Sequence, residues 1–288
     1  MKVLVFAAGL GTRLRPLTDN TPKALVRVGG KPLIEHVVMN LAAYGFRDIV
    51  INVHHFAGQI VDFVKSHNSF GLNISFSDET DLLRDTGGGI RHARRLLDDG
   101  EPFLVHNVDI ISNLNLADFY RRQCDLLAGG GCPDSPGGRK SYGKAIASVL
   151  VSERVTNRYL LFDDYDRLVA WTNLKTGEVV SPYPELNRRG RDSAGVASVT
   201  YSTTSASAGH CTEALHRYAF AGIHVISPEI FPLMERQPEV FPIVPFYLSI
   251  ADKYVVLGGR VEDLKLMDVG KAETLPEAEA FLKSCSKP

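Results

Sequence analysis

The chain has 288 residues, 44% hydrophobic and 23% charged, with a formal net charge of −1. That make-up supports a sizeable core and excludes broad electrostatic capture of nucleic acid or of an anionic membrane. No apolar run approaches the roughly 20 residues of a bilayer span, and no basic-then-apolar leader precedes the first strand. Cys124, Cys132, Cys211 and Cys285 are too scattered for a disulfide framework or a zinc site. The expectation is a cytoplasmic enzyme that engages neither nucleic acid nor membrane.

Through the first 125 residues strand and helix patterns alternate. Lys2–Phe6 predicts a strand, followed by a loop, Ala7–Lys23, rich in glycine, threonine, proline and basic residues. Pro32–Tyr44 has helical spacing, opened by Pro32 and closed by Gly45. Asp48–Val53 predicts a strand, Phe56–His67 a helix and Leu72–Ser77 a third strand. Gly89–Leu97 reads as a helix with Arg91, Arg94 and Arg95 on polar positions, and Phe103–His106 as a fourth strand ending at Asn107-Val108-Asp109. Such alternation implies a mostly parallel sheet covered on both faces, with ligands outside the carboxyl ends of its strands.

From residue 126 the pattern changes. Ala128–Tyr142 and Ser181–Gly209 read as inserted loops, rich in glycine and proline in the first case and in serine and glycine in the second. Ala145–Val151, Tyr159–Phe162, Arg167–Trp171, Tyr218–Ile226 and Tyr254–Leu257 predict strands, with a hairpin turn at Asp163–Asp166. Helices are expected after Ser227-Pro228, near Val244–Ala251 and over Lys271–Ser284. The reading is one domain, 1–288, made of a part over 1–125 and a strand-rich part over 126–288.

A buried strand that ends in a glycine-rich, cationic loop is suited to phosphate. Glycines let the backbone approach the anion, and the cations neutralise it. Gly9-Leu10-Gly11 invites a dinucleotide-binding reading, but Leu14 stands where that fingerprint needs a small residue, and no Gly-Lys-Ser/Thr follows for a Walker loop. A bland alternative, a glycine turn whose arginines bridge surface carboxylates, stays open for Arg15. His54-His55 reads as polar packing, because adjacent strand residues point to opposite sides.

The run Gly9-Leu10-Gly11-Thr12-Arg13-Leu14-Arg15-Pro16-Leu17-Thr18, then Pro22-Lys23, resembles the loop G-x-G-T-R-L-x-P-x-T…P-K of the sugar-1-phosphate nucleotidyltransferase family. Gly30-Lys31-Pro32-Leu33-Ile34, Asp85-Thr86-Gly87-Gly88-Gly89, Asn107-Val108-Asp109 and Asp268-Val269-Gly270 extend the likeness over nearly the whole chain. The resemblance implies a three-layer α/β/α sandwich of the nucleotide-diphospho-sugar transferase type. Its central sheet would be mixed and mostly parallel, with a nucleotide-binding part before residue 126 and a β-rich sugar-binding lobe after it. The implied reaction joins a nucleoside triphosphate and a sugar 1-phosphate into a nucleotide-sugar and pyrophosphate.

Phosphoryl transfer of this kind needs positioning and charge stabilisation more than covalent help. By resemblance, Ala8, Gly9, Leu10, Gly11 and Thr12 cradle the nucleotide, Arg13 stabilises the departing pyrophosphate, and Lys23 neutralises the α-phosphate and the incoming sugar phosphate. Asp109 and Asp268 match the family's Mg²⁺ ligands. Thr86, Gly87 and Gly88 offer bare backbone to the base with Glu79 at the rim, and Asn107 contacts nucleotide or sugar phosphate. Gly222 marks where the sugar approaches a strand. The family's Glu-Lys-Pro motif is missing, which leaves Asn173 in its place, and Val108 stands where relatives often carry glycine. The pattern is most similar to the N-acetylmuramate 1-phosphate uridylyltransferases of cell-wall recycling, favouring UTP. Mannose 1-phosphate guanylyltransferases and glucose 1-phosphate uridylyl- or thymidylyltransferases are the near alternatives. A non-catalytic nucleotide-sugar-binding relative is the alternative of another class.

Overall fold

In the computed structural model, which describes residues 1–129, 144–186, 200–202 and 212–285, the first apolar run becomes β1 (Lys2–Phe6) with Val3, Leu4 and Val5 wholly buried. After the glycine loop comes a short hairpin, β2 (Arg27–Val28) and β3 (Lys31–Pro32). Helix α1 (Leu33–Ala43) starts one residue later than expected, because Pro32 is its extended N-cap rather than its first turn. Its inner face is Leu33, Ile34, Val37, Val38 and Leu41, and Gly45 at φ 84° ends it. There follow β4 (Asp48–Val53), α2 (Ala57–Ser66), β5 (Asn73–Asp78), α3 (Asp85–His92), α4 (Arg94–Leu97), β6 (Phe103–Asn107), β7 (Ile110–Ser112) and α5 (Leu116–Ala128). β1 pairs with β4 and β6, and β4 with β5, all parallel. This explains why β1, β4 and β6 read as mostly apolar runs, since both sheet faces are covered.

Two sequence expectations change here. The helix foreseen at Gly89–Leu97 begins at Asp85 and is broken at Ala93, so all three glycines lie inside α3 and are buried. Helix α5 has no counterpart in the sequence expectations, although Leu116, Phe119, Gln123 and Leu127, all buried, recur at helical spacing.

The chain divides into two units, Met1–Cys124 with Gly222–Ile243 and Glu262–Pro288, and Asp125–Ala221 with Val244–Val261. The second is strand-rich: β8 (Ala145–Ser152), β9 (Arg158–Phe162), β10 (Leu168–Asn173), β11 (Glu178–Val180), β12 (Thr200–Ser202) and β13 (Thr212–Ala214). β9–β10, β10–β11 and β12–β13 are antiparallel pairs. The β9–β10 turn is the one expected at Asp163–Asp166. Asp163 Oδ1 accepts from the N–H groups of Tyr165 and Arg167, and Asp166 takes φ 55°. Thr200–Ser202 falls inside a stretch expected to be loop. The rest of the foreseen insertions, 130–142 and 187–199, lies outside the described residues, as does 203–209.

β14 (His216–Ile226) then runs antiparallel to β9 in its first part and to β6 in its last. Ser227 accepts from the Glu229 N–H and opens the turn into α6 (Phe231–Met234), as Ser227-Pro228 suggested. α7 (Ile243–Ile250), β15 (Val255–Gly259), β16 (Leu266–Asp268) and α8 (Leu275–Cys285) complete the chain. β15 is parallel to β8, and β16 is antiparallel to β7. The sheet of the first unit is therefore mixed and mostly parallel, as expected. Among the described residues no helix is long and apolar enough to cross a membrane.

Candidate active site

The parallel strands β1, β4, β5 and β6 end at one edge of the first unit, and there the chain leaves a cavity of about 390 Å³. Ala8, Gly9, Lys23, Glu79, Thr86, Asn107 and Asp109, all sequence candidates, line it. So do Asn52, Leu83, Asp85 and Val240, which were not foreseen.

The glycine loop is shaped by its own side chains. Gly11 sits at φ 64°, and a Cβ there would lie 2.9 Å from Thr18 Cγ2 and 3.1 Å from Lys23 Cβ. The Thr18 hydroxyl donates to the Gly11 carbonyl at 2.8 Å, and the Leu14 N–H donates to the same oxygen at 2.8 Å. The turn that follows buries Leu14 completely while Leu10, Thr12 and Arg13 remain exposed. Only glycine reconciles that backbone with Lys23 so close behind it. Arg15, more than half exposed, pairs with Asp19 at 3.4 Å, which is the bland role left open for it.

Lys23 begins a 3₁₀ turn after the extended Pro22, and its ammonium bonds Asp109 Oδ2, with both side chains largely buried. Asp109 follows β6 at the start of the β7 turn. The β7–β16 ladder places Asp268 opposite Ile110, and the Val269 N–H donates to the Asp109 carbonyl at 2.8 Å. Two aspartates far apart in sequence are thus brought onto neighbouring backbone segments. Gly270 completes the group: a Cβ there would lie 2.7 Å from Asp268 Oδ1 and 3.1 Å from an Arg13 terminal nitrogen. Arg13, Lys23, Asp109 and Asp268 therefore share one corner. Val108, buried beside it, keeps ordinary backbone angles and donates its N–H to the Phe6 carbonyl at 3.1 Å, so this turn does not need the family's glycine.

Among the described residues no three His, Cys, Asp or Glu groups come together as a metal site. A pair of carboxylates nevertheless suits Mg²⁺, which usually takes one or two protein carboxylates and fills its shell with water and phosphate oxygens.

At the other end of the cavity Glu79 is not a rim residue but wholly buried. Its Oε1 accepts from Asn52 Nδ2 at 2.9 Å and its Oε2 from the Arg84 N–H at 3.0 Å. Asn52 in turn accepts the N–H groups of Ala7 and Ala8 at 2.7 and 3.2 Å. One asparagine at the end of β4 thus ties the start of the glycine loop to the loop after β5. Its signal was a lone polar residue inside the apolar run Asp48–Val53. Arg84 braces the same loop through both Asp81 oxygens, at 2.8 and 2.6 Å, and its hydrogen bond holds the Asp81 carboxyl well below the usual carboxylate range.

Gly87 and Gly88 turn out to face protein. Their N–H groups donate to the Phe241 carbonyl at 2.9 and 3.1 Å. A Cβ on Gly87 would strike the Phe241 ring at 2.3 Å, and one on Gly88 the Glu239 carbonyl at 2.5 Å. The orphan donors of the first turn of α3 are met by the chain itself, so these two glycines serve close packing.

Gly222, at φ 74°, backs onto Asn107: a Cβ would lie 2.8 Å from Asn107 Nδ2. Asn173 belongs to the second unit, where its Oδ1 accepts the Lys175 N–H at 3.1 Å in a local turn. His54 bonds the Glu79 carbonyl at 2.6 Å and His55 packs against Phe56 with the rings tilted, in line with polar packing.

Comparison with known proteins adds to this geometry. Residues 2–130 match the family model described as nucleotidyl transferase. The chain is 47% identical over 110 residues to N-acetylmuramate alpha-1-phosphate uridylyltransferase of Caulobacter vibrioides, covering 38% of this chain and 45% of that protein. It is 42% identical over 127 residues to mannose-1-phosphate guanyltransferase of Yarrowia lipolytica, covering 42% and 35% respectively. The matched region thus spans about half the length, or less, of these relatives. The crystal structure of HddC from Yersinia pseudotuberculosis, complexed with GMP-PN, is similar over 98% of this chain and 99% of that one, with a TM-score of 0.65 at 18% identity. That likeness concerns the fold. The fold, the glycine loop and the family match agree, and the likeness to the nucleotidyl transferase family lies in residues 2–130.

Proposed function

We propose that the chain is a Mg²⁺-dependent sugar-1-phosphate nucleotidyltransferase. The observation that carries this reading is the Lys23–Asp109 pair lining one cavity at the carboxyl edge of the sheet, with Asp268 and Arg13 packed around Gly270 on the backbone next to Asp109. A phosphate oxygen of the sugar 1-phosphate attacks the α-phosphorus of the triphosphate. The bond from that phosphorus to the bridging oxygen breaks, and pyrophosphate leaves with the electron pair. The attacking oxygen is already ionised near neutral pH, so no general base is needed.

Backbone N–H groups of the glycine loop receive the outer phosphates, and Arg13 meets the charge that grows on the leaving pyrophosphate. Lys23 is the point charge for the α-phosphate and the incoming phosphate. Asp109 and Asp268 would hold Mg²⁺, which would supply positive charge to offset the charge of the phosphates. Asn107, set against Gly222, faces the same cavity as a phosphate contact. Asn173 is assigned to the sugar side, in the strand-rich unit.

UTP and N-acetylmuramate 1-phosphate are the favoured pair, supported by the Thr86–Gly89 motif and the Caulobacter relative. That choice would place the enzyme in cytoplasmic cell-wall recycling. The guanylyltransferase relative supports mannose 1-phosphate with GTP as the alternative. A pyrophosphate-release assay over a grid of nucleoside triphosphates and sugar 1-phosphates with Mg²⁺ decides between them. Turnover with no pair in the grid, alongside tight nucleotide-sugar binding, identifies a non-catalytic binder instead. Lys23→Ala and Asp109→Ala are each expected to lower turnover about 10²- to 10³-fold, the scale of losing one charge-stabilising group. A near-normal rate in either variant removes that residue from its role.

A further inference from the structure

At the edge of the sheet the strands lie in the order β6, β1, β4, β5. With about 4.8 Å between neighbours, the β5 end of the cavity is about 14 Å from the Asp109 end. If the phosphates lie beside Lys23 and Asp109, as the proposed function has it, the base lies over the ends of β4 and β5. Leu83, Thr86 and Val240 line the cavity there, with Asn52 and Glu79 beneath. Val240 is the outsider. It comes from a distant stretch of the chain and is 43% exposed, as a side chain facing a ligand would be.

That stretch has little regular structure of its own, and the first unit fastens it at several points. Arg91, on α3, donates from one terminal nitrogen to the carbonyls of Met234 and Gln237 at 3.0 and 2.8 Å, and from the other to Pro238 at 2.9 Å. The same guanidinium sits 5.4 Å from the centre of the Phe241 ring. Beyond Val240, the Phe241 carbonyl takes the Gly87 and Gly88 N–H groups, and the Ile243 N–H donates to the Thr86 hydroxyl at 2.9 Å. Val240 is thus bracketed by an arginine clamp before it and a glycine seat behind it.

We infer that Val240 is a base-contacting residue and that Arg91 is the positioning residue that holds it at the cavity. The ligand is the base of a nucleoside triphosphate, met on its flat face by an aliphatic wall. An apolar wall of this kind raises affinity for pyrimidine and purine alike, and leaves discrimination to the polar groups beneath.

The test is calorimetric titration of the full chain with the α,β-methylene analogues of UTP and GTP, which bind without reacting. For the preferred base, Val240→Ala should weaken binding about five-fold, the scale of losing most of a valine's contact area. Arg91→Gln should weaken it by a similar factor, and Arg91→Lys should not rescue it, because a single ammonium cannot span three carbonyls. Since both act through one wall, the double variant should fall well short of the product of the single effects. Steady-state KM for the triphosphate should rise in step, with kcat within two-fold. Unchanged affinity in Val240→Ala, or effects that multiply fully, overturns the inference. Val240→Ala is a surface truncation, so the test survives if Arg91→Gln does not fold. The inference rests on the nucleotide reading of the cavity. Analogue binding without any pyrophosphate release sinks the transferase proposal alone, whereas no binding by the wild-type chain sinks both.

Discussion

Asn52 does more than its size suggests. It presents an acceptor to the backbone of the glycine loop and a donor to a buried glutamate, which only a carboxamide can do at once. Asn52→Ala would strip Glu79 Oε1 of that donor and free the Ala7 and Ala8 N–H groups. We expect a loss of about 2–4 kcal/mol in urea denaturation, the cost of leaving buried polar groups unmet. An unchanged unfolding midpoint would show the network to be dispensable. Neither Asn52 nor Glu79 was fully legible beforehand. Glu79 was picked out, but burial cannot be read from a glutamate's neighbours in sequence, and it was placed at the rim. Asn52 does not stand out in the sequence, because the residues around it satisfy the strand pattern without it.

A very short strand pair sets the corner on which the proposed chemistry depends. β7 and β16 are three residues each, yet their register brings Asp268 to Asp109. Gly270 then leaves room for Arg13 beside Asp268. Gly270→Ala should crowd that corner, lowering turnover at least ten-fold while the melting temperature stays within a few degrees. Parallel loss of stability and rate would instead mark a folding defect. The long elements were legible because β1, β4 and β6 are mostly apolar, as strands covered on both faces are. The β7–β16 ladder was not, since three residues carry no period and pairing partners are chosen by the tertiary fold. The glycines of α3 show a related failure: the sequence marks them as special, but only the fold reveals that they seat Glu239 and Phe241.

Over the whole molecule, stability should depend on pH through two histidines. His106 on β6 and His224 on β14 are almost wholly buried, and burial pushes their pKa values down to about 4 and about 3. In the unfolded chain they titrate near 6.5, so below that pH the unfolded state binds more protons. Their contribution is complete above about pH 6.5 and drains away as pH falls toward the lowered values. Each should steepen the loss by about 1.4 kcal/mol per pH unit across that window. Denaturation at pH 7.5, 6 and 5 measures the slope, and His224→Gln should flatten it; an unaltered slope would place the titrating group elsewhere. The broad architecture and the loop were within reach of sequence, whereas the identity of the sugar was not, because the residues that would choose it belong to the stretch where the family pattern thins out.

The ladder that joins Ile110–Ser112 to Leu266–Asp268 also sets an order of events. It closes a long loop, and such long-range contacts form late. The glycine loop and the four parallel strands all lie in the first 125 residues, made before the stretch that carries Val240. Those residues alone lack the second carboxylate, and with it the charge pattern for transfer. In the proposed reading the phosphate end of the site comes early in the chain, and the site for transfer is complete only once the chain has folded through Asp268.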